Sequence, residues 1–160
     1  MNNNKHHDLM SLAIGKAKET MNQNIGGPFG SLIIDKDGEI LALTSNSVLK
    51  DQDPTAHGEM NAIRAACKKV GSHDLSGCTL YTTSFPCPMC LGAIIWSNIK
   101  KVYYGCTATD ADEIGFRDDF IYEFIKGDCV DKNVLDLEGT EREICLKLFK
   151  EYHEKEKVLY

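Results

Sequence analysis

The 160-residue sequence has no apolar run that approaches the roughly 18 residues a membrane-spanning helix needs. Its opening stretch, Met1 to Asp8, is polar and lacks the apolar core of a secretory signal. An excess of basic charge is also missing, since the net charge is −6. A protein that grips a nucleic-acid backbone takes most of its affinity from phosphate contacts and carries a basic patch. Here the lysines are scattered, and the final stretch from Lys150 to Lys157 alternates in sign, the pattern of a solvated helix face. Internal repeats, low-complexity tracts and linkers are absent. The seven cysteines make an odd number, and with no signal segment a disulfide framework is not expected. These absences point to a cytoplasmic globular chain with no membrane or nucleic-acid partner. One domain over residues 1–160 is expected, with enough hydrophobic content (42%) for a real core.

What is present alternates between two hydrophobic periods. Leu9, Leu12, Ala13, Ala17 and Met21 have helical spacing, stopped by Ile25-Gly26-Gly27-Pro28. Phe29–Ile34 and Ile40–Ser45 read as strands joined by a turn at Asp37-Gly38. A polar loop, Asp51–Thr55, precedes a helix over Ala56–Val70 with Gly71 as its stop. Then follow a strand over Cys78–Thr83, a very apolar and therefore buried helix over Pro88–Ser97, and a strand over Lys101–Gly105. The remainder predicts a helix over Asp118–Lys126, a fifth strand over Asp131–Leu137 and an amphipathic helix from Thr140 to about Glu154, opened by a Thr140/Glu143 capping box. The predicted class is α/β, a mixed five-stranded sheet between helices. Cys67, Cys78, Cys106, Cys129 and Cys145 are expected to be small core residues.

Two short segments carry chemistry: His57-Gly58-Glu59 and Pro86-Cys87-Pro88-Met89-Cys90. Each is ambiguous alone. A histidine at a helix start is usually an ordinary polar residue, and a Cys-x-x-Cys can be a redox pair or half of a structural zinc site. Their placement narrows the choice, because His57 and Cys87 each open a helix after an extended segment. Unpaired N–H groups and the helix dipole there favour thiolate over thiol. Two thiolates and one imidazole leave the fourth tetrahedral position of a zinc ion open to water, as in catalytic sites. Glu59, two residues beyond the histidine, can then carry protons between that water and a leaving nitrogen. A structural zinc would need a fourth protein ligand; His6, His7, His73 and His153 show no short spacing to the other three, which leaves Cys67 or His73 to supply one only by approach in space. His-x-Glu…Pro-Cys-x-x-Cys is the signature of zinc deaminases that act on nucleobases.

The sequence resembles the cytidine deaminase superfamily, in the branch that holds guanine deaminases, cytosine deaminases and tRNA adenosine deaminases. The resemblance covers nearly the whole chain, through Gly26-Gly27-Pro28-Phe29-Gly30, Asn46, Asp53-Pro54-Thr55-Ala56-His57-Gly58-Glu59 and Pro86 to Ile94. It implies a three-layer α-β-α sandwich of the cytidine deaminase-like kind, with one zinc ion held by His57, Cys87 and Cys90 and Glu59 as the proton shuttle. Thr109 to Phe116, Asp118, Phe120, Ile121, Tyr122 and the terminal Tyr160 look like the bacterial guanine deaminases of this fold. By that resemblance Phe29 would stack on the base, Asn46 would hydrogen-bond it, and Asp118 would assist the second proton transfer. The C-terminal segment, about residues 138–160, would be exchanged between the subunits of a homodimer, with Tyr160 closing the partner's pocket. Gly58 and Arg117 depart from the usual pattern, which holds alanine and an acidic residue there, and Asp119 is the alternative to Asp118. The implied reaction is hydrolysis of guanine to xanthine and ammonia. Cytosine, a nucleoside, an aminotriazine and a tRNA adenosine are the other substrates within the class, and a zinc-stabilised binding module without catalysis is the reading outside it.

Overall fold

The computed structural model describes residues 3–159. The chain forms two compact units, Met1–Asp118 and Asp119–Tyr160. Within the first, α1 (Asn3–Asn22) leads to β1 (Gly30–Ile34) and β2 (Ile40–Ser45), followed by the short α2 (Val48–Asp51) and α3 (Gly58–Val70). Next come β3 (Thr79–Ser84), α4 (Pro88–Trp96), β4 (Lys101–Cys106) and α5 (Ala108–Glu113). The sheet order is β2-β1-β3-β4. β1 is antiparallel to both neighbours, while β3 and β4 run parallel because α4 provides the crossover between them.

Alternation along the strands sorts the side chains into two cores. Leu32, Ile34 and Tyr81 face Leu9 and Ala13 of α1. Ile33 and Leu80 face the other way, onto Ala62 and Ala66 of α3 and Ile94 of α4. The unit is thus three layers with helices on both faces, as expected. Gly71 ends α3, with its N–H on the Cys67 carbonyl.

The described sheet has four strands, where five were expected. Residues 131–135 form a turn, and 136–137 follow it without a ladder: the Asp131 carboxylate accepts from the Asn133 backbone N–H, and the Val134 and Leu135 N–H groups bond back to the Asp131 carbonyl. That local alternative wins over a ladder. Helix α4 is less buried than its composition suggested. Only its Cys90/Ile94 stripe is covered, and Trp96 is 74% exposed. Cys78 is buried and Cys67 and Cys129 are half-buried, but Cys106 and Cys145 are exposed and are not core residues.

The second unit holds α6 (Asp119–Lys126) and α7 (Arg142–Glu154). Neither helix buries any residue, and Ile144, Leu148 and Phe149 of α7 stay exposed. The expected Thr140/Glu143 box does not form. Glu141 takes a left-handed conformation as N-cap, so the helix starts two residues later than the pattern suggested. The capping box among the described helices is at α5, where Thr107 Oγ1 accepts from the Asp110 N–H and the Asp110 carboxylate accepts from the Thr107 N–H. Among the described residues no helix is long and apolar enough to cross a membrane.

Candidate active site

The strand registers bring together one end of the sheet. Gly30 pairs with Ser45 and Ser31 with Thr82, so the start of β1 meets the ends of β2 and β3. Chain leaving β2 and β3 there leads into α3 and α4. His57 and Cys87 are the N-caps of those two helices, both in extended conformation. Neither uses its side chain to cap its helix, which leaves imidazole and thiol free for another partner. The Asn61 side chain ties the α3 start down through the Ser45 carbonyl and the Ser47 hydroxyl, at 3.0 and 2.9 Å.

His57 Nδ1 lies 3.6 Å from Cys87 Sγ and 3.7 Å from Cys90 Sγ. Bonds of ordinary length to one tetrahedral zinc ion would set sulfur and nitrogen about 3.6 Å apart. The donor set fits the metal in chemistry as well as in distance. The hydrogen bond from the Cys90 thiol, with help from His57, brings the Cys87 thiol down to about 4. That same bond, and burial after it, pushes Cys90 up, so without a cation the pair keeps one proton. His57 is raised, chiefly by its hydrogen bond to Cys87. Three groups that share protons in this way are suited to give them up to one dication. They form the candidate zinc site.

Glu59 sits beside this cluster, buried (4% exposed) in the first turn of α3. Its Oε1 accepts from Thr82 Oγ1 at 2.9 Å, and its Oε2 lies 3.5 Å from Cys90 Sγ. Burial raises its pKa, and the Thr82 bond opposes the rise. Burial thus shifts the balance toward the protonated form, the direction that suits a group that takes up a proton and later returns it.

A cavity of about 560 Å³ opens over these groups, within the size range of small-molecule sites. Phe29, Asn46, His57, Glu59, Cys87 and Asp118 all line it. Six of the expected site residues thus meet in one place, and Cys90 joins through the metal cluster. Tyr160 lies outside the described residues. Asp118 also bears on His57, adding to its raised pKa. Asn46 is fixed by two backbone donors: its Oδ1 accepts from the Gly27 and Val48 N–H groups, both at 3.2 Å. This leaves the amide NH2 as the group to offer a ligand. Gly26 permits the arrangement, because a Cβ there would fall 2.2 Å from Asn46 Oδ1.

Sequence reasoning did not single out Phe116 or Phe85. Phe116 meets Phe29 edge to face, with centroids 4.8 Å apart, and both rings line the cavity. Phe85 lines it too and packs edge-on against Tyr104. Its signal was available, since it stands two residues before Cys87 at the end of β3.

A mixed sheet flanked by helices, with a histidine at one helix start, a cysteine pair at another and a buried glutamate, all at one end of the strands, defines the zinc-dependent deaminase class. The cytidine and deoxycytidylate deaminase zinc-binding region matches residues 3–106, and the chain belongs to that family. Guanine deaminase of Bacillus subtilis is 51% identical over 120 residues, 75% of this chain and 76% of that one. The crystal structure of guanine deaminase from Bacillus subtilis aligns with a TM-score of 0.87 and 42% identity, over 100% of this chain and 99% of that one. A tRNA-specific adenosine deaminase of Aquifex aeolicus is 41% identical over 96 residues, 60% of this chain and 62% of that one.

Proposed function

We propose that the protein is a guanine deaminase that hydrolyses the free base to xanthine and ammonia. The observation that carries this reading is the extent of the match. In sequence the guanine deaminase relative matches 75% of the chain and the tRNA deaminase relative 60%, and the guanine deaminase structure aligns over 100% of it. The Asn46 amide supports it, because an NH2 donor suits the carbonyl and ring-nitrogen acceptors along a purine edge. Phe29 would stack on the base, with Phe116 buttressing it.

His57, Cys87 and Cys90 would hold zinc, which when bound lowers the pKa of a water toward about 7. Glu59 takes a proton from the attacking water and hands it to the N3 ring nitrogen. Asp118 assists a second proton to the exocyclic amine, which leaves as ammonia. The test is ammonia release by the zinc-loaded protein from guanine, guanosine, cytosine, cytidine, adenine and adenosine. Release from guanine is expected; turnover of cytosine but not guanine would overturn the substrate assignment.

The assembly proposed with this function is a cytoplasmic homodimer that exchanges about residues 138–160. The exposed Ile144, Leu148 and Phe149 support it, since a helix with no covered apolar side in its own unit has something to gain from a partner. Light scattering on the purified protein is expected to give twice the chain mass. A monomer at micromolar concentration would refute the dimer.

A further inference from the structure

Two buried hydroxyls lie under Glu59 and take no part in the reaction as derived. Ser31 of β1 and Thr82 of β3 are register partners, and both are fully buried. They stand two residues from Ile33 and Leu80 on the same strands, so they continue the row that faces α3. Thr82 Oγ1 donates to Glu59 Oε1 at 2.9 Å, and Ser31 Oγ lies 3.3 Å from Thr82 Oγ1. A hydroxyl has one proton to give. Thr82 spends its proton on Glu59, so Ser31 donates to Thr82, and the row runs in one direction, from Ser31 to the carboxylate. The other carboxylate oxygen, Oε2, is the one beside Cys90.

Gly58 shapes the same row. A Cβ at that position would lie 2.9 Å from Ser31 Oγ and 3.0 Å from the Phe29 carbonyl oxygen. The first contact is closer than real Cβ atoms come and the second is tight, so a side chain there would press on the serine hydroxyl. The glycine between the histidine and the glutamate therefore goes with the serine beneath it.

We propose that Ser31 and Thr82 position the proton-carrying carboxylate. Thr82 anchors Oε1 and so fixes the direction in which Oε2 points, and Gly58 leaves space for the Ser31 hydroxyl. The proposal rests on the deaminase reading of Glu59, and Thr82 acts only through that residue. Misplacing a reacting group by about 1 Å can cost on the order of 10²-fold in rate.

In zinc-loaded protein, Thr82→Val is expected to lower kcat on guanine by about 10- to 100-fold with KM within about twofold, as when a reacting group is misplaced while substrate binding is kept. Zinc content stays at the wild-type value, and Thr82→Ser recovers most of the loss. A wild-type kcat in Thr82→Val, or no recovery in Thr82→Ser, would overturn the proposal. Ser31→Ala leaves every Glu59 contact in place and is expected to show a smaller fall in kcat; no fall removes Ser31 from the row.

Two readouts do not depend on turnover. A crystal structure of zinc-loaded Thr82→Val should show the Glu59 carboxylate turned, and an unmoved carboxylate refutes the positioning role. Gly58→Ala should lower Tm more in the wild-type background than in Ser31→Ala, where only the Phe29 carbonyl still has to yield; equal losses refute the Gly58 clause. If the wild type releases no ammonia from guanine, the substrate reading fails, and the carboxylate position alone decides this proposal.

Discussion

Glu59→Gln is expected to lower ammonia release from guanine by about 10²–10⁴-fold, the usual share of a general acid–base group. The substitution nearly preserves shape. A glutamine Oε1 can still accept from Thr82, and the side chain still fills a site that is 4% exposed. It removes the capacity to take a proton at the position of Oε2 and give it back. Burial holds the Glu59 pKa upward, and a carboxyl in that condition serves proton transfer better than it serves a fixed charge. A purely structural role makes the opposite forecast. Neutralising a buried carboxylate would then leave turnover intact and stability unchanged or improved. Ammonia release, zinc content and Tm, measured on the same preparation, separate the two. Turnover within about threefold of wild type, with zinc retained, would take Glu59 out of the chemistry.

The metal ligands and Glu59 were legible in the sequence because their geometry is local. A histidine or cysteine at an N-cap is placed by the helix that follows it, and the spacing of Cys87 and Cys90 is one helical turn. The hydrophobic periods likewise placed all four described strands to within a residue or so. Thr82 and Ser31 were not legible as parts of the site. A threonine or serine in a strand is ordinary there, and only the β1–β3 register puts these two under α3. Phe116 was hidden in the same way, since its contact with Phe29 spans most of the first unit. The two failures in residues 131–143 have a local cause. The alternation at Val134 and Leu135 and the Thr140/Glu143 spacing are real sequence features, but an Asp131 turn and a left-handed Glu141 pre-empt them. At Asp131 a polar side chain that bonds its own backbone competes with the ladder the hydrophobic period suggests.

Removal of zinc is expected to take ammonia release from guanine to background and to lower Tm, with both restored by added zinc. The three ligands come from the starts of two helices, with Cys87 30 residues beyond His57 in the chain. An ion held by them joins α3 to α4, and any ion that binds the folded state alone adds to its stability, by about 2.7 kcal/mol at a hundred times its Kd. The metal-free site does not collapse into a neutral cluster. The Cys90 thiol holds the Cys87 pKa down while Cys90 itself is pushed up, so loading the metal must displace a proton. Zinc uptake should accordingly weaken as pH falls, as protons increasingly compete for the donors. The first unit retains two helix-covered cores that do not include the metal, and this separates a catalytic site from a structural one. A catalytic ion costs all of the turnover and part of the Tm, whereas a structural ion would cost the fold. Metal-free protein that still releases ammonia from guanine at the wild-type rate would refute the assignment of His57, Cys87 and Cys90 to the reaction.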